Sequence, residues 1–148
     1  MITVRNLMKS KGDDEIVSVS SNATVQEALK VMAEANTGAV IVKEAGQMVG
    51  IFTERDYARK VVLQEKHCTA TRIQEIMTTA MITIHPEQSL EECMELMTNN
   101  RIRHLPVMEN GRLVGMISMG DVVKMILEYK DSTIRSLEDF ILGEGYAK

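Results

Sequence analysis

Two stretches decide the fold: residues 17–56, VSVSSNATVQEALKVMAEANTGAVIVKEAGQMVGIFTERD, and residues 82–121, ITIHPEQSLEECMELMTNNRIRHLPVMENGRLVGMISMGD. A shift of 65 residues lays one on the other without a gap. Glu27/Glu92, Met32/Met97, Val42/Val107, Glu44/Glu109, Gly46/Gly111, Val49/Val114, Gly50/Gly115 and Asp56/Asp121 are then identical. Val17/Ile82, Thr24/Ser89, Val25/Leu90 and Thr53/Ser118 keep their class. The chain is an internal repeat, and any account of its function must explain why each feature occurs twice.

Each copy reads strand, helix, strand, strand, helix. Ile16–Val19 and Met81–Ile84 are short β-branched runs. Thr24-x-x-Glu27 and Ser89-x-x-Glu92 are capping-box signals in which a hydroxyl and a carboxylate satisfy the first free amides of a helix. Val25, Ala28, Leu29 and Met32, and Leu90, Cys93, Met94 and Met97, then recur at helical spacing. Ala39–Val42 and Leu105–Met108 are buried strands; Ala45-Gly46 and Asn110-Gly111 turn the chain back into Met48–Phe52 and Leu113–Ile117. Closing helices are expected from Asp56 to Leu63 and from Asp121 to Tyr129. One such copy buries too little surface to be comfortable alone, so the pair is expected to share a core. Gln64–Arg72 is a polar connector, Thr71–Met77 a short helix, and Ser132–Leu142 an extra amphipathic helix through Ile134, Leu137 and Ile141 that Gly143 stops.

Composition narrows the function classes. The 148 residues are 45% apolar with a net charge of -4, which gives no reason to expect a phosphate-backbone or membrane partner. Tyr and Phe are few and Trp is absent, so stacking platforms for nucleic acid are nearly missing. The twelve methionines suit adaptable cores and interfaces. Cys68 and Cys93 make no disulfide or metal pattern, and His67 and His85 have no second ligand at metal spacing. The start of the chain lacks a signal-peptide core and no run is long enough to span a bilayer, so a cytoplasmic protein is expected. No nucleophile–base–acid set, Walker, Rossmann or zinc pattern appears, so an enzyme is not expected.

The chemistry concentrates in two matching turns, Gly50-Ile-Phe-Thr-Glu-Arg-Asp56 and Gly115-Met-Ile-Ser-Met-Gly-Asp121. Each joins a strand to a helix and sets a hydroxyl three residues before a carboxylate. One reading is a further capping box. The other is a nucleoside-phosphate site: helix-end amides attract an anion, the hydroxyl donates to phosphate, and the carboxylate accepts from a ribose diol. Glycine ahead of the turn allows close approach of a ligand or of neighbouring backbone. Arg101, Arg103 and His104 form a basic cluster that the first copy replaces with Asn36, Gly38 and Ala39, so the two sites are expected to differ toward charged ligands.

The element order and the Gly-φ-φ-[Ser/Thr]-x-x-Asp turn, together with Glu75-Ile-Met-Thr78, Thr53-Glu-Arg-Asp56, Arg101-Ile-Arg-His-Leu-Pro-Val107 and Ser118-Met-Gly-Asp121, resemble the cystathionine-β-synthase-type (CBS) domain, in the tandem arrangement of a Bateman module. The resemblance runs from Leu7 to Tyr129. It implies an α+β fold of two pseudo-symmetric βαββα units packed through their sheets (residues 7–66 and 73–130), with a helical extension over 131–148. It further implies adenosine ligands such as AMP, ADP, ATP, NAD or S-adenosylmethionine in two clefts, with no metal required. One cleft would use Thr53, Arg55, Asp56, Ile51 and Thr78 with Ile82, Ile102, Arg103 and Pro106. The other would use Ser118, Gly120, Asp121 and Met116 with Val17, Thr37, Gly38, Ala39 and His104. In both, the Asp would hold ribose. A homodimer that regulates another protein in trans is the expected context, and a constitutive interaction scaffold is the alternative.

Overall fold

The structure is a computed structural model that describes residues 1–12 and 16–142, the side chain of Leu142 excepted. Gly143, the expected helix stop, lies outside the described residues. The chain divides into two compact units, Asp13–Thr83 and a second made of Met1–Gly12 with Ile84–Lys148. The units are thus offset from the sequence repeat: the first twelve residues fold with the second copy.

In the Asp13–Thr83 unit, β1 (Ser18–Ser20) runs parallel to β2 (Ala39–Glu44), which pairs antiparallel with β3 (Gln47–Thr53). β2 is the central strand, and Ala39, Val40, Ile41 and Val42 are all fully buried. A run buried on both faces explains why this strand is continuously apolar and not alternating. α2 (Val25–Ala35) lays Val25, Ala28 and Met32 on the core. The Thr24 hydroxyl accepts the Glu27 amide at 3.2 Å, and Asn36 ends the helix in the left-handed region at φ 51°. The two amides before that of Glu27 are taken by incoming chain: Val25 donates to the Thr71 carbonyl and Gln26 to that of Cys68. Phe52, Val61, Ile73 and Ile76 complete the core. The helix expected over Asp56–Leu63 is a short α3 (Glu54–Asp56) that widens into a π-helix, Tyr57–Val62. The connector carries α4 (Ile73–Ile76), inside the span expected for a short helix.

In the other unit, α5 (Leu90–Asn100) buries Leu90, Cys93 and Met97, the positions that match those of α2. β4 (His104–Glu109) and β5 (Arg112–Ser118) form a hairpin. Both hairpin turns have positive φ at both central residues, Ala45 and Gly46, and Asn110 and Gly111, as a type I′ turn requires. The strand expected over Met81–Ile84 is reduced to a single parallel bridge, Ile84 to Val107. The cause is Pro106. In the first unit the Ile41 amide donates to the Val17 carbonyl; the matching residue in β4 is Pro106, which has no N–H to offer.

α1 (Val4–Lys11) is absent from the sequence reading. Thr3 and Asn6 form a complete capping box, and Val4 and Leu7 are buried. Its chain start is tied down by Val4 N–H to the Gln88 carbonyl, Leu90 N–H to the Ile2 carbonyl, and an Arg5 ion pair with Glu87 and Glu109. The segment before α4 does the same for the first unit, through the Thr24–Arg72 bridge. Each β-hairpin therefore receives a methionine against its glycine: a Cβ on Gly50 would lie 2.6 Å from Met77 Sδ, and one on Gly115 2.9 Å from Met8 Cε.

Finally, α6 runs unbroken from Met119 to Leu142. The expected separation between a closing helix and a C-terminal one does not occur, because Tyr129–Ser132 contains neither Gly nor Pro. Thr133 and Ser136 hydroxyls bond back to the Tyr129 and Ser132 carbonyls and remain compatible with the helix. Among the described residues, no helix is long and apolar enough to cross a membrane.

Candidate functional site

Both strand-to-helix turns form the hydroxyl–carboxylate arrangement, and both do so as capping boxes. In the first, the Thr53 amide and hydroxyl donate to Asp56 Oδ2 at 3.0 and 3.2 Å, and the Asp56 amide donates to Thr53 Oγ1 at 3.1 Å. In the second, the Ser118 amide donates to Asp121 Oδ2 at 2.8 Å and the Asp121 amide to Ser118 Oγ at 3.1 Å. The capping geometry fixes each carboxylate at the start of its helix and aims it within its own unit.

Each aspartate also meets a lysine that the sequence did not flag. Lys60 Nζ lies 3.1 Å from Asp56 Oδ1 and donates to Thr78 Oγ1 and the Ile76 carbonyl. Lys11 Nζ lies 3.0 Å from Asp121 Oδ2 and donates to the Met116 carbonyl. Lys60 is four residues beyond Asp56, a spacing that signals a helical pair. Lys11 comes from α1 and had no local signal.

The two carboxylates differ in how their bonds are distributed. Asp56 accepts Thr53 twice on Oδ2 and Thr78 and Lys60 on Oδ1. An ionised carboxylate has about four acceptor positions, so the unit uses its full capacity. The bonds to Asp121 from Ser118 and Lys11 both fall on Oδ2. Burial alone would raise the Asp121 carboxyl, but the Ser118 amide and hydroxyl and the Lys11 ammonium outweigh it and hold the group below the usual carboxylate range. Asp121 is therefore a fixed, half-buried anion at neutral pH.

The hairpins place further candidates beside these turns. In the Asp13–Thr83 unit, Ala39 pairs with Thr53, the Gly38 carbonyl accepts the Glu54 amide at 3.1 Å, and the Thr37 hydroxyl donates to the Ala39 carbonyl. Ile51 and Thr78 exchange backbone hydrogen bonds at 3.0 and 2.9 Å, which brings Thr78 to Asp56. Gly50 makes room for this contact: a Cβ there would also sit 3.1 Å from the Thr78 carbonyl, a tight approach. The glycine serves close approach of neighbouring backbone, one of its two expected uses. Ala39 is fully buried and Ile51 nearly so, whereas Arg55 is exposed and Val17 and Ile82 are half-buried.

In the other unit, His104 pairs with Ser118 and Pro106 with Met116, and the Arg103 carbonyl accepts the Met119 amide at 2.8 Å. Arg103 and Gly120 are exposed, Ile102 and His104 half-buried, and Pro106 buried. Arg101 takes the left-handed cap position that ends α5, at φ 54°. Among the described residues, no group of three or more His, Cys, Asp or Glu could hold a metal ion.

Comparison with known proteins relates the chain as a whole to others. The family model of the CBS domain matches the chain twice, at residues 2–63 and 73–128. The CBS domain-containing protein CBSX3, mitochondrial, of Arabidopsis thaliana is 38% identical, over 97% of this chain and 73% of its own length. A solved CBS-domain protein from Burkholderia ambifaria superposes with a TM-score of 0.83 at 49% identity, covering 85% of this chain and 94% of that one. A CBS-domain pair solved in complex with 5′-methylthioadenosine and S-adenosyl-L-methionine superposes with a TM-score of 0.75 at 26% identity, covering 87% and 98%.

Proposed function

Because the chain belongs to the CBS-domain family, with two copies in tandem, we propose that it is a sensor of adenosine ligands that regulates a partner protein in trans and catalyses nothing itself. The observation that carries this reading is the pair of Ser/Thr-x-x-Asp turns, each holding its carboxylate in a fixed place beside a lysine. The aspartate is the acceptor for ribose, and the neighbouring ammonium favours a ligand with negative charge close to the sugar. The ligands considered are AMP, ADP, ATP, NAD and S-adenosylmethionine. A relative of known structure holds adenosine compounds, which supports the ligand class and leaves the member open.

The two sites are unequal in this account. The Ser118 amide and Lys11 both bond Asp121 at Oδ2, so Oδ1 is the oxygen assigned here to a ribose hydroxyl, and Arg103 and His104 lie at the matching end of the hairpin to supply phosphate contacts. Asp56 must release Thr78 or Lys60 before it can accept a ribose hydroxyl with good geometry. The Asp121 site is therefore the tighter one. Residues 17, 37–39, 82, 102 and 106 keep the roles that the family resemblance assigns them. The protein is further proposed to be a cytoplasmic homodimer.

The competing reading is a scaffold that binds no ligand, and the saturation of Asp56 is the observation in its favour. Isothermal titration of the full chain with each nucleotide separates the two. The sensor reading expects at least one site per chain that is lost in Asp121→Ala. Absence of heat and of thermal stabilisation at millimolar concentrations of all five compounds selects the scaffold.

A further inference from the structure

The half of α6 beyond Leu127 exposes its large apolar side chains. α6 touches α5, β5 and α1 near its start, where Val122 is fully buried. Beyond that point Val123, Leu127, Ile134, Leu137 and Ile141 are 41, 56, 53, 58 and 78% exposed. With Lys130 between them they recur at alternating steps of four and three, the spacing of a coiled-coil seam. The helix has 24 residues, about 36 Å at 1.5 Å per residue, long enough for such a seam to be useful.

We propose that this seam pairs with the same seam of a second copy, the two helices running antiparallel about a twofold axis near residue 132. The charges beside the seam select both the occupant and the direction. On the flank next to Leu127 and Ile134 stand Lys124, Asp131 and Glu138, a cation toward one end and acids toward the other. Running antiparallel, Lys124 of each copy comes beside Glu138 of the other, and the contact is made twice. Running parallel, that flank would face Ile126, Thr133 and Phe140, which carry no charge. In the antiparallel register Leu127 meets Leu137, Val123 meets Ile141, and Lys130 lies opposite Ile134; the two Asp131 carboxylates meet near the axis, a single like-charge contact set against the two Lys124–Glu138 pairs. Lys130 is the polar seam residue that weakens the pair and holds its register. The opposed helix dipoles add to the same preference. This names a surface and an orientation for the homodimer proposed above, and it is tested apart from it.

The experiment is sedimentation equilibrium of the full chain across micromolar concentrations. Leu137→Asp is expected to weaken dimerisation at least tenfold with the thermal midpoint of the isolated monomer unchanged, since the side chain is exposed. Lys130→Leu is expected to tighten it several-fold. Lys124→Glu and Glu138→Lys each weaken it about threefold, and the double variant recovers the wild-type value. In a Cys68→Ser background, Thr133→Cys should form an intermolecular disulfide across the axis. A dimer indifferent to Leu137→Asp overturns this proposal and leaves the homodimer intact. A wild-type monomer at 100 µM overturns both, whether or not the helix then binds phospholipid vesicles or another protein. Weakening that adds in the Lys124→Glu/Glu138→Lys double variant overturns the antiparallel register.

Discussion

Replacing Asp121 separates a carboxylate that only caps a helix from one that also holds a ligand. In the structure Asp121 Oδ2 accepts the Ser118 amide at 2.8 Å and meets Lys11 at 3.0 Å. The first is a hydrogen bond to a charged group, worth about 1.5–3 kcal/mol. The second is partly exposed, with side chains 30 and 26% accessible, and is worth at most about 1 kcal/mol. Asp121→Ala loses both and is expected to cost about 2–3 kcal/mol; at about 4 °C per kcal/mol for a domain of this size, the thermal midpoint falls by about 10 °C. Asp121→Asn keeps an oxygen for the Ser118 amide and loses the charge, so about 1 kcal/mol and about 4 °C are expected. The folded carboxyl lies below its ordinary value, so this stabilisation is present above about pH 4 and disappears as pH falls through the folded pKa. The gap between wild type and Asp121→Asn should therefore be full at pH 7 and should close only as pH falls through the lowered folded pKa. Affinity for the best adenosine ligand, by isothermal titration at pH 7, should drop at least tenfold in either variant, because a ribose bond to an ionised acceptor contributes about 1.5–3 kcal/mol. A variant that loses stability and keeps its affinity would refute the ligand role and leave only the cap.

Three further substitutions and one chemical modification probe the scaffold. Gly50→Ala drives a Cβ against Met77 and the Thr78 carbonyl and should cost about 1–3 kcal/mol by chemical denaturation, whereas Gly115→Ala meets only the flexible end of Met8 and should cost less than about 1 kcal/mol; equal costs would contradict the backbone contact. Ala45 sits at φ 50° in an exposed turn where the second copy has Asn110, so Ala45→Asn should raise the thermal midpoint by about 2–4 °C, and a fall would count against the turn assignment. Burial, with a smaller contribution from Glu92, pushes the Cys93 thiol up to about 11, so at pH 8 an aromatic disulfide reagent should titrate Cys68 in the native chain and both thiols only after unfolding.

What was legible in the sequence was what rests on local chemistry. The two helix caps at Thr24 and Ser89, the buried strands and the Ala45-Gly46 and Asn110-Gly111 turns depend on residues a few positions apart, and they formed where the repeat put them. The Ser/Thr-x-x-Asp turns were legible for the same reason, and both uses assigned to them start from the cap that is present. The residues Met81–Ile84 by themselves suit a strand, but their partner does not: Pro106 withholds the amide that Ile41 supplies in the first copy. Thr3, Val4, Asn6 and Leu7 carry a cap and an apolar face, but a helix as short as the eight residues of α1 is stabilised by what it packs on and not by its own propensity, so local sequence alone does not announce it. Lys11 was beyond reach for a related reason. Its contact with Asp121 joins the two ends of the chain, and no spacing announces it.

The most direct measurement is calorimetric titration of AMP, ADP, ATP, NAD and S-adenosylmethionine into the wild-type chain and into Asp121→Ala and Asp56→Ala. The account predicts that at least one compound binds the wild type, that Asp121→Ala removes the tighter site, and that Asp56→Ala leaves that site in place. No binding by any of the five, or a tighter site that survives Asp121→Ala, contradicts it.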